Sequence, residues 1–177
     1  MKRVASLLCL VAFLIIPHSA RAADGPPVEV FGGYSYLHDQ DASSTFPAGW
    51  VGSVAAGVSS RVSVVGELGG SYQTLATPSG NVNSHVYSFL GGARYTASVT
   101  GSVSLFGQGL VGAARSSVIV ANAASSETDL AFQPGGGVDV SLAPRWAVRV
   151  QGDLRAVRVS GTTTKQDRVV AGLVFRP

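Results

Sequence analysis

The chain has 177 residues, enough for one domain with a sizeable core, and a formal net charge of +3 from 13 Lys and Arg against 10 Asp and Glu. Three of those basic residues, Lys2, Arg3 and Arg21, lie in an N-terminal leader, so the rest is charge-balanced and offers no clustered basic face for a nucleic acid. The single cysteine, Cys9, also lies in the leader, which excludes disulfides, a Cys nucleophile and a thiolate metal centre from the remainder.

Lys2 and Arg3 are followed by an apolar run from Leu7 to Ile16 and by Ala20-Arg21-Ala22, an A-x-A cleavage pattern. Residues 1–22 therefore read as a cleaved secretory signal, and residues 23–177 as one domain. A lipoprotein cleavage at Cys9 is disfavoured, because Leu7-Leu8 rather than small residues precede it. No later run approaches the roughly 18 apolar residues of a membrane helix, so insertion into a membrane after export must use strands.

The domain opens with Val28 to Tyr36, VEVFGGYSY, and a polar loop, HDQDASSTFPAG. Trp50 to Val58 is tied by only Ser59-Ser60-Arg61 to Val62 to Tyr72, which makes a hairpin. A polar loop with TPSGNVNS leads to Tyr87 to Tyr95, and the turn TASVTGS to Val103 to Ala113. Ala114 to Asp129 is the longest loop, with its SSVIV portion extending the strand before it. Leu130 to Val140 and a tight turn at Ser141 to Arg145 precede Trp146 to Ala156, WAVRVQGDLRA. After VRVSGTTTKQDR the chain closes with Val169 to Arg176. Pro134 costs a ladder hydrogen bond, and Gly135-Gly136-Gly137 beside it suggest that a bulge absorbs it.

Each of these eight segments alternates at period two, the mark of a strand whose faces meet different surroundings. In WAVRVQGDLRA one face carries Trp146, Val148, Val150, Gly152, Leu154 and Ala156; the other carries Arg149, Gln151, Asp153 and Arg155. In every segment one parity is free of charged, amide and aliphatic hydroxyl residues. The opposite parity holds Glu29, Glu67, Arg94, Gln108, Gln133, Asp139, Arg176 and serines including Ser35, Ser53, Ser71 and Ser88. Long and short connections alternate as well. Together these features predict an all-β fold: an eight-stranded antiparallel up-and-down transmembrane β-barrel, greasy outside and polar inside, with long loops at one end and both termini at the other.

Outward aromatics fall near the strand ends: Tyr36, Trp50, Tyr72, Tyr87 and Phe132 toward the long loops, and Tyr95, Trp146 and Phe175 toward the short turns. Two such girdles suit the two membrane–water interfaces. Eight strands leave an interior about wide enough for side chains to fill, so the polar residues should form a packed network rather than line a pore. Within it Glu29 should meet Arg176 across the closing seam and Asp139 should meet Arg149, with Glu67, Arg94, Asp153 and Arg155 extending the network.

The opening EVFGGYSYL, the hairpin SVSLFGQGLVGA, the segment FQPGGGVDVSL and the closing VVAGLVF resemble the small outer-membrane β-barrel domains of the OmpA/OmpX type, over essentially all of Val28 to Pro177. The resemblance implies a bacterial cell outer-membrane location, outer-membrane lipid and lipopolysaccharide as surroundings, and the barrel-assembly machinery and periplasmic chaperones as partners in biogenesis. It also implies roles in envelope integrity or adhesion carried by the loops. That machinery reads a terminal aromatic in the family; here Phe175 is followed by Arg176 and Pro177. A periplasmic peptidoglycan-binding domain is not expected, because the chain ends with strand eight.

No enzymatic activity, cofactor or metal site is expected. His38 with Asp39 and Asp41 has no defined ligand spacing. His85 near Ser84 and Ser88 is similar to the Ser/His chemistry of lipid A-deacylating barrels, but Ser88 falls on the inward parity. The glycine runs open no helix and bind no phosphate. A soluble lipocalin-like ligand-binding barrel is the second reading, and it requires the reverse parity.

Overall fold

A computed structural model describes residues 28–40, 44–77, 80–120, 123–159 and 162–177, and the leader lies outside the described residues. The strand segments are β1 (Val28–Asp39), β2 (Ser44–Phe46), β3 (Ala48–Gly57), β4 (Val62–Thr77), β5 (Gly80–Ser98), β6 (Val103–Val120), β7 (Ala123–Ala143), β8 (Trp146–Val159) and β9 (Thr162–Phe175). Each pairs antiparallel with its chain neighbour, and β9 returns to β1 from Val30↔Phe175 to Asp39↔Gln166, closing the sheet into a barrel. Closure leaves no edge with unpaired amides, which is what allows strands to cross hydrocarbon.

Eight staves circle the barrel because β2 and β3 together make one. Both pair with β1, but Tyr34↔Trp50 and Leu37↔Phe46 stand in registers one residue apart, with Pro47 between them. Proline has no amide to give the ladder, so the stave breaks there and resumes displaced.

The strands outrun the sequence expectation at the long-loop end. Much of HDQDASSTFPAG, the TPSGNVNS region, Ala114 to Asp129 and VRVSGTTTKQDR is strand: β4 and β5 stay paired to Thr77↔Gly80, β6 and β7 to Val120↔Ala123, and β8 and β9 to Val159↔Thr162. These stretches read as loops because both their faces carry polar residues. Pairing that has begun in the apolar belt needs no apolar face to continue.

The expected bulge at Pro134 is absent. Phe132↔Ala156 and Gly135↔Asp153 share one register, so β7 passes Pro134 by skipping the rungs to β8 at Gln133 and Pro134 without a shift. The register shift sits instead between Ser141 and Ala143, beside the turn into β8.

Two short turns are built alike. The amides of Val58 and Ser59 donate to the Val62 carbonyl, and Ser59 Oγ accepts from the amides of Arg61 and Val62 at 3.4 and 3.2 Å. Val99, Thr100 and Val103 repeat the arrangement, with Thr100 Oγ1 accepting from Ser102 and Val103 at 3.3 and 3.1 Å. A side-chain oxygen thus satisfies amides that the tight reversal leaves without a ladder partner.

The predicted parity is the one observed. Val30, Val54, Leu68, Phe89, Val111, Phe132, Val150, Leu154, Val169 and Leu173 are exposed on the outer wall, whereas Phe31, Val65, Leu90, Leu110, Val170 and Val174 are buried in the lumen among polar groups. A lipocalin-like barrel has these faces exchanged. Curvature crowds the inner face: a Cβ on inward Gly172 would run into the Gly32 carbonyl, while one on outward Gly152 would meet nothing within 4 Å.

Candidate functional site

The lumen collects side chains that water would ordinarily keep. Burial of a charge costs several kcal/mol unless partners and hydrogen bonds compensate it, so the pairing pattern decides what the interior does. Two ionic clusters share it, stacked along the barrel axis.

The mid-barrel cluster ties opposite walls together. Arg168, from β9, donates Nη2 to Glu67 Oε1 of β4 and to Asp153 Oδ2 of β8, both at 2.7 Å, and its Nε adds a bond to Asp153 Oδ2 at 3.0 Å. Gln133 Nε2 donates to Glu67 Oε1 at 3.0 Å and its Oε1 accepts Arg155 Nε at 2.9 Å; Arg155 Nη2 reaches Ser88 Oγ at 3.2 Å. Gln151 Nε2 donates to both Asp153 oxygens. Gly135 opens the space for Asp153, because a Cβ there would collide with the carboxylate. Two arginines face two carboxylates, all 3% exposed or less.

The second cluster lies toward the short turns. Glu29 Oε1 accepts Arg94 Nη1 at 2.6 Å and Arg149 Nη2 at 2.7 Å, while Arg149 also grips Asp139 through Nε and Nη2, each at 2.7 Å. Arg176 bridges Glu29 Oε2 and Asp139 Oδ2 at 3.2 and 2.9 Å. Three arginines therefore share two carboxylates. Aromatic faces take up part of the excess: the Phe106 ring centroid is 4.7 Å from Arg94 Cζ and 4.5 Å from Arg149 Cζ, and that of Phe31 is 5.1 Å from Arg149 Cζ. Arg149 Nη1 has no protein hydrogen-bond partner among the described residues. Gln108 joins the clusters, accepting from Arg94 through Oε1 and donating to Asp153 Oδ1 at 3.4 Å.

The pairs Glu29–Arg176 and Asp139–Arg149 are thus in contact, and Glu67, Arg94, Gln108, Gln133, Gln151, Asp153 and Arg155 join the same network. Arg168 escaped that reading because the last segment was begun at Val169, although it shares the parity of buried Val170 and Val174. Asp39 and Gln166 escaped similarly; both are buried, and Gln166 Nε2 donates to Asp39 Oδ2 at 2.9 Å. The two clusters together hold four carboxylates, Glu29, Glu67, Asp139 and Asp153, and five arginines, Arg94, Arg149, Arg155, Arg168 and Arg176. Leu37, Phe46 and Val86 form an apolar cluster inside the long-hairpin end.

On the outer wall, Tyr36, Trp50, Tyr87, Phe132, Tyr95 and Trp146 are exposed, and Tyr72 and Phe175 are half-buried. Trp50 Nε1 donates to Tyr72 Oη at 3.0 Å, Tyr72 meets Tyr87 edge-on at 6.0 Å, and Trp146 lies 4.8 Å from Phe175. His85 packs edge-on against Tyr72 at 5.4 Å, on the outer wall, whereas Ser88 points into the lumen toward Arg155. A wall separates the two, so they form no Ser/His pair. His38 Nδ1 lies 3.1 Å from Thr45 Oγ1; Asp41 lies outside the described residues, and among those residues no group of three or more His, Cys, Asp and Glu converges on a metal position.

Residues 6–176 match the family described as the outer membrane protein beta-barrel domain. Among solved structures, the barrel is similar to neisserial surface protein A, with a TM-score of 0.67 and 14% identity over 87% of this chain and 98% of that one. It is also similar to Ail, the attachment invasion locus protein of Yersinia pestis, in complex with the heparin analogue sucrose octasulfate (TM-score 0.55, 13% identity, 86% of this chain and 100% of that one). The N-terminal barrel of Pseudomonas aeruginosa OprF aligns with a TM-score of 0.54 at 12% identity, over 86% of this chain and all of that one. At these identities the likeness is one of fold. Compared by sequence with curated proteins, the chain has no match.

Proposed function

The chain belongs to the outer membrane protein β-barrel domain family, and from that membership we propose that it is a non-enzymatic outer-membrane barrel whose lumen is a structural plug and whose paired hairpins carry its role. The observation behind this reading is the depth of burial along the lumen: Arg149 is 1% exposed, Gln133 0% and Arg168 2%. A continuous water path would leave such groups solvated. The ionic clusters hold opposite staves together, the apolar belt satisfies lipid, and closure satisfies the backbone.

The leader, residues 1–22, directs export and is removed. The short turns after β3, β5 and β7 then face the periplasm with both termini, and the long hairpins β4–β5, β6–β7 and β8–β9 project outside, where they serve envelope integrity or adhesion. Outer-membrane lipid and lipopolysaccharide surround the wall, and periplasmic chaperones and the barrel-assembly machinery deliver and insert it.

Planar-bilayer recordings test the plug. The protein is expected to give no steady current, and stepwise conductance that disappears or changes size in Glu67→Ala and Arg149→Ala would replace the plug with an ion path. Heat-modifiable gel mobility in the outer-membrane fraction checks folding in parallel.

A further inference from the structure

We propose that the outer wall at the long-hairpin end holds a phosphorylated glycolipid of the outer leaflet, its phosphates on Arg115 and Arg158 and its acyl chains in the grooves below. The inference rests on the orientation proposed above, and deepens it by naming the residues that would meet the lipid.

Two cationic positions lie immediately past the outward apolar belt. Arg115 on β6 stands directly across from Tyr87 and Thr128, and Arg158 on β8 directly across from Leu130 and Thr163. Both are exposed and share the parity of the lipid-facing residues below them. Arg115 is held by a bond from Nη2 to Ser126 Oγ at 2.9 Å, and neither arginine has an ion-pair partner among the described residues. Among the described residues, each lumenal arginine bonds a carboxylate or a neutral polar side chain; here two arginines are left on a surface that lipid headgroups touch.

The wall below these positions is recessed in two places. A groove of about 250 Å³ runs between Trp50, Leu68, Tyr87 and Phe89 and ends at Arg115. A second, of about 360 Å³, lies among Phe132, Pro134, Leu154, Ala156 and Lys165 on the β7–β9 side, and Arg158 follows two residues beyond Ala156 on the same face of β8. Lys165 adds a third exposed cation at its rim; Asp167, also in the lining, accepts a hydrogen bond from Gln40 Nε2. Glu127 and Asp129 sit on the opposite parity of β7 from Thr128 and Leu130. An apolar groove that ends at Arg115, and a second whose lining on β8 stops two residues short of Arg158, suit an amphiphile with chains below and anionic groups above. Phosphate is the matching anion, because a guanidinium presents a fork of donors to it.

Trp50 lines the first groove, so its fluorescence reports occupancy. The full chain, extracted from outer membranes in detergent, would be titrated with lipid A and with the same lipid dephosphorylated. The wild type should bind the phosphorylated form roughly tenfold or more tightly, as two surface cations allow. The double variant Arg115→Gln/Arg158→Gln should lose that preference while binding dephosphorylated lipid as before. Equal binding of both forms by the wild type, a preference that survives in the double variant, or displacement of lipid A by millimolar inorganic phosphate would each overturn the site. Outer-membrane fractionation and heat-modifiable mobility of the same preparations keep the outcomes separate: a wild type that fractionates correctly yet shows no preference sinks the lipid site and leaves the barrel reading standing.

Discussion

The two ionic clusters in the lumen solve the same problem in different ways. At mid-barrel, two arginines and two carboxylates are present in equal number: Arg168 bonds both Glu67 and Asp153, Arg155 bonds Gln133 and Ser88, and the amides of Gln133 and Gln151 complete the network. Near the short turns, Arg94, Arg149 and Arg176 outnumber Glu29 and Asp139, and the surplus is met by ring faces and by water: the side chains of Arg176 and Glu29 are 36% and 16% exposed. Depth therefore sets how strictly charge must balance. Where water is absent, opposite charges and neutral polar side chains supply the compensation; where water reaches in, a guanidinium can be shared or left partly solvated.

Arg168→Met sharpens this contrast most. It leaves two sealed carboxylates facing each other without their common cation, so the loss should be about 3–5 kcal/mol, the usual cost of stranding buried charge. Reversible urea unfolding in lipid vesicles measures it. A loss under about 1 kcal/mol, on the scale of an exposed pair, would mean that water enters mid-barrel and that the lumen is not a dry plug.

Phe106→Leu probes the other solution. The ring takes two guanidiniums, and leucine keeps much of the volume while removing the quadrupole. About 1–3 kcal/mol should be lost, combining two partly desolvated cation–π contacts with imperfect repacking. Because both arginines also depend on Glu29, the effects of Phe106→Leu and Arg94→Met should be less than additive. Strict additivity would show that Phe106 is merely filling space.

How much of this was legible in the chain depends on where the solvent contrast is sharp. Within the belt, one face meets lipid and the other the lumen, so Arg149 and Leu154 announce their sides and the pairs Glu29–Arg176 and Asp139–Arg149 follow from strand order. Beyond the belt both faces meet water, alternation loses its contrast, and paired strand from Ala114 to Val120 and from Ala123 to Asp129 reads as loop. Arg168 sits at that border inside the polar run KQDR, so the central cation of the mid-barrel cluster was cut from its strand by one residue. Pro134 misled in another way. A missing amide can be met by a bulge or by leaving rungs unmade, and composition alone does not choose; the actual shift at Ser141 to Ala143 has no comparable mark.

The smallest effect belongs to Arg176. It bonds Glu29 and Asp139, but its side chain is over a third exposed and both carboxylates keep Arg149, so Arg176→Gln strands no buried charge. The expected loss is within about 1 kcal/mol, the range of solvent-exposed ion pairs. High salt should separate it further from mid-barrel. Raising ionic strength to about 1 M shortens the screening length to about 3 Å, so the difference between wild type and Arg176→Gln should shrink toward zero while that for Arg168→Met persists. Unfolding the three proteins side by side at low and high salt makes the test, and equal salt sensitivity of the two variants would place both clusters in the same wet environment and dissolve the distinction between them.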